Sequence, residues 1–473
     1  MRLAVESVFP RVKAERARPH QVGAADTFRS AMKIFVVGAG QVGTTIIEAL
    51  HGEHELTVVD IDHERLGELA QSHGVTTVEG NGSSRHVLER GGVDEADLFI
   101  SCTSRDETNL IACLLTRTLA PKAMTIARVS NEEYLEICRD RLLDVDFVVS
   151  SELEAALAVA RIIGIPAARQ TNVFADGQVH MVEFEVPPSA KPGAVIGRRL
   201  RESAAPYDSR VVSIIRSGHR IIPRGAERIE PGDRVVVLGS AKAIRLWSSI
   251  VASGEQRTGD VVIFGGGRTG VAIARVLLTQ GSRVRIVESD SRRAHEIAEL
   301  LPQARVLEAT GMDPDFLDRE RIGNAEVAVF AMREDAKNHY AATLAKLHGV
   351  PFTIAIVHDV VSVEVFERSG IDVALNPRLI TSEEIVRFAH DPRTRQVSML
   401  ERNRFEILDV TVRADKELIG KPFSELPTTG TVIGAIVRGE RAFFPHGHDR
   451  LQPDDRVIVF TEAERSVEVE REL

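Results

Sequence analysis

The chain has 473 residues, 43% of them hydrophobic and 27% charged, with a formal net charge of −10. That length exceeds one core and implies about three or four globular domains; the acidic balance argues against a nucleic-acid-binding surface, and no apolar run approaches the ~20 residues that cross a bilayer. The three cysteines, Cys102, Cys113 and Cys138, show no metal-ligand spacing and read as reduced, partly buried thiols of a cytosolic protein.

Residues 1–31 carry Arg2, Arg11, Lys13, Arg16, Arg18 and Arg29 but no apolar core of a signal sequence. They are expected to form a disordered extension, or to follow from an upstream start, with the folded chain beginning near Met32. The apolar run Ile34–Val37 then predicts a strand entering Gly38-Ala39-Gly40-Gln41-Val42-Gly43, a helical pattern follows, and Asp60 ends the next apolar run, Leu56–Val59. The same order returns later. Val261–Phe264 enters Gly265-Gly266-Gly267-Arg268-Thr269-Gly270, and Glu288 closes Val284–Val287. One glycine motif is weak evidence; strand, glycines, helix and acid in order, twice, predict two Rossmann-type units.

Each residue type in that order has a physical task. The first glycine permits a sharp turn, the second admits backbone N–H groups to a pyrophosphate, and the third lets helix and strand pack closely. The helix N-terminus offers unpaired N–H groups and partial positive charge to phosphate. Asp60 or Glu288 would accept hydrogen bonds from ribose hydroxyls and repel a 2′-phosphate, which favours NAD or an adenine nucleotide over NADP.

The repeat continues past the glycines. Val75–Gly80, Leu98–Ile100, a helix to Leu119, Thr125–Arg128 and Phe147–Val149 alternate as a doubly wound sheet requires. Arg305–Glu308, Val327–Phe330, Glu334–Leu347, Thr353–Val357 and Ile371–Leu375 match them, with Val357-His358 placed opposite Ala127-Arg128. Leu153–Ile163 reads as an apolar, alanine-rich helix, either core or a subunit contact. A different pattern follows each unit: His180–Val186, Val211–Arg216, Pro231-Gly232-Asp233 and Arg234–Leu238, then Phe405–Val410, Val432–Arg438, Pro453-Asp454-Asp455 and Arg456–Phe460. Half-buried alternation makes these two small α+β lobes. Candidate linkers are Gly164–Gln170, Ser253–Gly259 and Asp391–Arg395. The expected layout is an extension over 1–31, Rossmann domains over 32–152 and 259–380, and lobes over 170–252 and 400–473.

A Rossmann unit plus a small lobe, twice, resembles the TrkA family, cytosolic subunits of Trk potassium-uptake systems built from RCK modules. The resemblance runs from Met32 to the C-terminus and is carried by Met32-Lys33-Ile34 with the first glycine turn, Thr57–Asp60, Thr103–Asn109, Ala127-Arg128 and Gly434–Gly439. It implies a fold of two doubly wound α/β sheets, each followed by an RCK C-terminal lobe, and regulation with no catalytic residue. By position, Gly38, Gly40 and Gly43, with Gln41 and Val42 in the same turn, would cradle phosphates, and Asp60 would hold ribose. Asn81 would sit beside adenosine, Thr103 would line the cleft, and Arg128 would pair with a terminal phosphate unless Glu132 or Glu133 holds it. Gly265, Gly267, Gly270 and Glu288 would form a second site. There Ala331–Asn338 departs from the pattern, the terminal arginine is missing, and His358 is expected to be solvated. NAD(H) is the implied ligand, with ATP or ADP as alternatives. The implied partners are a TrkH-like potassium transporter, on the inner face of the cell membrane, and further copies of this chain in a dimeric or tetrameric RCK ring.

Two other classes compete. An RCK regulator of another potassium channel or efflux system would share these motifs. An NAD-dependent oxidoreductase would need an acid or base facing the nicotinamide, and neither lobe offers a His–Asp, Lys–Tyr or Ser-Tyr-Lys arrangement. His446 and His448 stand in a turn and read as a solvated loop, with no metal.

Overall fold

The computed structural model describes residues 32–473 apart from 53, 141, 166, 224, 252–258, 390–393, 401–403, 417, 424–430, 440 and 447. The extension expected over 1–31 lies outside the described residues, as does most of the second linker.

The first unit alternates β1 (Lys33–Val37), α1 (Gln41–Leu50), β2 (Glu55–Asp60), α2 (His63–His73), β3 (Thr76–Glu79), α3 (Arg85–Arg90), β4 (Leu98–Ser101), α4 (Asp106–Leu119), β5 (Met124–Arg128), α5 (Glu132–Arg139) and β6 (Phe147–Val149). The strands form one parallel sheet in the order β3-β2-β1-β4-β5-β6. Its central strands bury both faces, which is why Ile34–Val37 and Leu98–Ile100 read as continuous apolar runs. Strand order reverses between β1 and β4, and the glycine turn after β1 meets Thr103 and Arg128 at the carboxyl edge, where open α/β sheets bind ligands.

Helix α6 (Ser151–Ile163) ends the first unit, and the first lobe follows as β7 (Ala168–Phe174), β8 (Val179–Glu185), β9 (Ser209–Arg216), β10 (His219–Ile221), β11 (Arg234–Gly239) and α7 (Ala241–Val251). The second unit comprises β12 (Asp260–Phe264), α8 (Arg268–Thr279), β13 (Arg283–Glu288), α9 (Ser291–Leu300), β14 (Arg305–Glu308), α10 (Pro314–Arg319), β15 (Val327–Phe330), α11 (Asp335–Leu347), β16 (Thr353–Ile356), α12 (Val360–Arg368), β17 (Val373–Leu375) and α13 (Pro377–Val386). Its sheet repeats the first, β14-β13-β12-β15-β16-β17. The second lobe has β18 (Thr394–Leu400), β19 (Phe405–Thr411), β20 (Thr431–Arg438), β21 (Arg441–Phe443), β22 (Arg456–Glu462) and α14 (Ser466–Glu472).

The two halves exchange helices. Helix α6 lies on α8 and buries Ala156, Val159, Ala160 and Ile162 in the core of the second sheet. Helix α13 lies on α1 and buries Ile385 and Val386 in the core of the first. The apolar, alanine-rich face of Leu153–Ile163 is therefore core within one chain, its small side chains letting the helices approach closely.

Each lobe is a five-stranded antiparallel sheet, β10-β9-β11-β8-β7 or β18-β19-β22-β20-β21. The sheets share a core in which Phe174, Met181, Val236 and Leu238 meet Phe405, Ile407, Ile458 and Phe460. The lobe repeat has an ionic counterpart: Arg216 clamps buried Asp233 with two bonds of 2.8 Å, and Arg438 clamps buried Asp455 at 2.7 and 2.8 Å. Two expectations need correcting. Gly164–Gln170 contains the start of β7, an outer strand, and of the stretch expected as a linker over 391–395, residues 391–393 lie outside the described residues while Thr394 and Arg395 belong to β18.

Candidate functional site

The three glycines of the first turn answer to different neighbours. Gly38 has φ +110°, and a Cβ there would stand 2.9 Å from the Thr103 nitrogen. A Cβ on Gly43 would stand 1.8 Å from the Gly38 carbonyl oxygen. Gly40, which caps α1, would bring a Cβ within 4 Å of no protein atom. The protein itself thus requires the first and third glycines, whereas the second leaves backbone approach open at a helix N-terminus. The second turn repeats the pattern: Gly265 has φ +106°, a Cβ on Gly270 would meet the Gly265 oxygen at 2.0 Å, and Gly267 meets nothing within 4 Å.

The acid at the end of the second strand is bound to the turn. Asp60 accepts the Ala39 N–H at 2.5 Å through Oδ2 and the Asp62 N–H at 2.9 Å through Oδ1. Glu288 accepts the Gly266 N–H at 2.8 Å and the Asp290 N–H at 2.9 Å. Each carboxylate oxygen keeps further acceptor capacity for a ribose hydroxyl. A nucleotide therefore fits these residues: a glycine turn open to phosphate, with a carboxylate fixed beside it.

Asn81 is exposed at the turn after β3, its Oδ1 accepting from Ser83 N at 3.0 Å and Ser83 Oγ at 2.8 Å. Thr103 belongs to a network centred on fully buried Asn109, whose Oδ1 accepts from Thr103 N at 2.9 Å and Thr103 Oγ1 at 2.8 Å. Asn109 Nδ2 donates to the Thr103 and Arg128 carbonyls at 3.1 and 2.8 Å. It locks the ends of β4 and β5 together. The Asp-Glu-x-Asn spacing contained that signal, but Asn109 was not among the expected site residues. Arg128 donates from Nε to Ser151 Oγ at 3.1 Å and from Nη1 to the Thr103 carbonyl at 3.4 Å. Neither Glu132 nor Glu133 holds it.

The second cleft differs more than its sequence suggested. The residue in Arg128's place is Ile356, because Asn338 Nδ2 donates to its carbonyl at 2.9 Å as Asn109 does to that of Arg128. His358 corresponds to Ser130, and far from being simply solvated it pairs with Asp335 Oδ1 at 2.8 Å through Nδ1. The shift of register at the strand end hid this in sequence. Lys337 is tied to Glu334 at 2.6 Å. Gln41 and Val42 of the first turn also contact the opposite half: Gln41 Oε1 accepts from Arg378, and the Val42 carbonyl accepts from Ser382 Oγ at 3.3 Å. No spacing rule reaches across more than three hundred residues, so these partners were invisible in the motif.

A cavity of about 1370 Å³ touches the turn at Ala39–Gln41, follows the outer side of α1 and reaches Arg169 and Glu183 of the first lobe. Among the described residues there is no helix long and apolar enough to cross a membrane, and no cluster of three or more His, Cys, Asp or Glu side chains able to hold a metal.

The TrkA-N domain family matches residues 34–151 and 261–377, and the TrkA-C domain family matches 181–249 and 407–473. A "Trk system potassium uptake protein TrkA homolog" of Archaeoglobus fulgidus is 31% identical over 442 residues, covering 93% of this chain and 99% of that protein. The "Trk system potassium uptake protein TrkA" of Vibrio alginolyticus is 30% identical over 441 residues, covering 91% and 95%. Among solved structures, the GsuK RCK domain superposes with a TM-score of 0.59 at 17% identity, covering 94% of this chain and 96% of that one. The GsuK channel bound to NAD does so at 0.58 and 18%, covering 99% and 84%. These two likenesses concern the fold. The duplicated domains and the relatives, matched over nearly their whole length, decide the family: the chain belongs to the TrkA family of Trk-system potassium-uptake proteins.

Proposed function

We propose that this chain is a nucleotide-sensing regulatory subunit that gates a TrkH-like membrane potassium transporter from the inner face of the cell membrane. The observation that carries the nucleotide part is Gly40: in the turn Gly38–Gly43 it alone has no protein neighbour to explain it, and it stands beside the fixed Asp60 carboxylate. In this reading the N–H groups opening α1 take a pyrophosphate, Asp60 takes ribose hydroxyls, and Arg128 takes a terminal phosphate. NAD(H), ATP and ADP all present an adenosine diphosphate moiety to this cleft. The GsuK channel, a protein of the same fold, has been solved bound to NAD, which supports NAD as one occupant.

A bound nucleotide contributes negative charge and a rigid bridge. It shifts an assembly between two shapes only by its differential affinity for them. The exchanged helices α6 and α13 join each cleft to the other half, so a change at one cleft is felt in both sheets. Dimers or tetramers of the chain would close an RCK ring. The test is potassium flux through a TrkH-like partner in liposomes, with the chain and NADH, ATP or ADP added in turn. Flux that follows the nucleotide supports the proposal; flux indifferent to both chain and nucleotide overturns it.

A further inference from the structure

Helix α13 of the second half is fastened to the first cleft at three points. Arg378, near its start, donates through Nη1 to Gln41 Oε1 and to the His358 carbonyl at 3.2 Å. Thr381 Oγ1 lies 2.8 Å from Ser151 Oγ, the group that accepts from Arg128 Nε. Ser382 Oγ reaches the Val42 carbonyl. Arg378 of the second half thus stands at the start of α1, and Arg128 of the first half, bound to the Ser151 hydroxyl that α13 also holds, is near enough for its charge to act on Arg378.

Neither is neutralised: among the described residues no carboxylate stands within ion-pair distance of Arg128 or Arg378. The Arg378 guanidinium is held below the usual arginine range, first by burial and then by the charge of Arg128, with Asp335 opposing them more weakly. Two like charges kept within reach of one another raise the energy of the cleft, and an anion between them lowers it.

The opposite cleft is built the other way. Glu152 stands on α6 where Arg378 stands on α13, and it lies 3.9 Å from Arg268, the counterpart of Gln41. At the second cleft the residue reaching across from the other half is thus an anion already facing a cation. The same place in the fold carries opposite charge in the two halves.

We propose that Arg378 completes the first nucleotide site from the opposite half, joining Arg128 on a phosphate beyond the pyrophosphate, and that Glu152 turns the second cleft against such a phosphate. The ligand class is a nucleoside triphosphate. The proposal rests on the first cleft being a nucleotide site and adds how phosphate number is read: a third phosphate engages α13, the helix that leads into the second lobe.

The experiment titrates the full chain with ATP, ADP, AMP and NADH by calorimetry, in the parent, Arg378→Ala, Arg378→Gln, Arg378→Lys and Gly40→Val. Arg378→Gln keeps a donor for Gln41 and removes the charge, and melting without nucleotide confirms that each variant is folded. The expected result is a loss of about tenfold to a hundredfold in ATP affinity for the Ala and Gln variants. AMP affinity should stay within about twofold, and the Lys variant should recover part of the loss. Equal losses for ATP and AMP, or no loss for either, would make Arg378 a clamp on Gln41 and overturn the proposal. Should the parent bind none of the four, or Gly40→Val bind as the parent does, the nucleotide reading itself falls, a result distinct from the first.

Discussion

Glu132 Oε1 accepts a hydrogen bond from Arg275 Nη1 at 2.6 Å, joining helix α5 of the first half to α8 of the second. The carboxylate nearest in sequence to Arg128 is thereby engaged across the halves, and Arg128 keeps only neutral partners, Ser151 and the Thr103 carbonyl. An arginine oriented by neutral oxygens retains its charge for a ligand. ATP and ADP differ by one phosphate, so Arg128→Ala should narrow the difference between them while leaving NADH binding largely intact. The loss for ATP should be about 1.5–3 kcal/mol, the range of a charge-assisted hydrogen bond. Calorimetry with the three ligands checks it, and an unchanged ATP to ADP ratio would make Arg128 a residue that only supports β5.

Gly40 and Gly43 separate binding from folding. Gly40→Val places its Cβ where no neighbouring part of the fold lies within 4 Å, so the sheet should keep its stability while backbone approach to a pyrophosphate is blocked. Gly43→Ala drives a Cβ to 1.8 Å from the Gly38 oxygen and should cost roughly 1–3 kcal/mol of stability through overpacking. Thermal melting and NADH titration of both variants read the two effects apart. A Gly40→Val chain with parental NADH affinity would remove the first cleft from consideration.

The parallel sheets were legible because buried strands are continuous apolar runs and the glycine turn has a fixed order. The outer strands β7 and β18 were not: Ala168–Phe174 and Thr394–Leu400 mix charged, amide and hydroxyl side chains with scattered apolar ones, a pattern shared with linkers. The first cleft was legible wherever one motif carries it, as at Gly38, Asp60, Thr103 and Arg128. The groups supplied by the opposite half, Arg378, Thr381 and Ser382, depend on helix exchange, a tertiary relationship that leaves no periodic trace. The misplacement of His358 against Arg128 came from register: the two halves differ by one residue between α4 and β5, and only the carbonyls that Asn109 and Asn338 bind reveal it.

Asp60 should discriminate against NADP. Its carboxylate is fixed by Ala39 and Asp62 and has no freedom to swing away from a 2′-phosphate. Like charges about 4 Å apart repel by about 4 kcal/mol at an effective dielectric constant of 20. NADPH should bind at least tenfold more weakly than NADH in parallel calorimetry, with Asp60→Asn narrowing the gap. Equal affinities in the parent would contradict the role.

Glu383 on α13 lines the large cavity, and its carboxyl is pushed up to about 8 by burial, with Glu384 adding to the shift and Arg161 opposing it. The folded state therefore holds a proton that the unfolded chain releases near pH 4.5. Stability contributed by this residue should be full below that pH and decline as pH rises toward about 8, then level off. Glu383→Gln should flatten this part of the profile and raise the melting temperature at pH 8 relative to the parent. A parent profile that is already flat between pH 5 and 8 would place the carboxyl in water.

Self-association should use faces that the two halves do not already spend on one another. The exchanged helices occupy the faces of α1 and α8, so further copies must meet elsewhere. Ile111 on α4 is 46% exposed and Tyr340 on α11 is 54% exposed, and they sit at matching positions of the two halves, each two residues beyond the buried asparagine, Asn109 or Asn338. Large apolar side chains repeated at one exposed position on both halves suit a heterologous contact that closes into a ring. Full burial of one such side chain is worth about 1.5–3 kcal/mol, and about half of each is already covered, so losing one from a contact should weaken it severalfold to about tenfold. Light scattering of the parent at micromolar concentration should give a dimer or tetramer, and Ile111→Asp with Tyr340→Asp should shift it to smaller species without lowering the melting temperature. A monomeric parent would defeat the ring, and an oligomer indifferent to both substitutions would place the contact on another face.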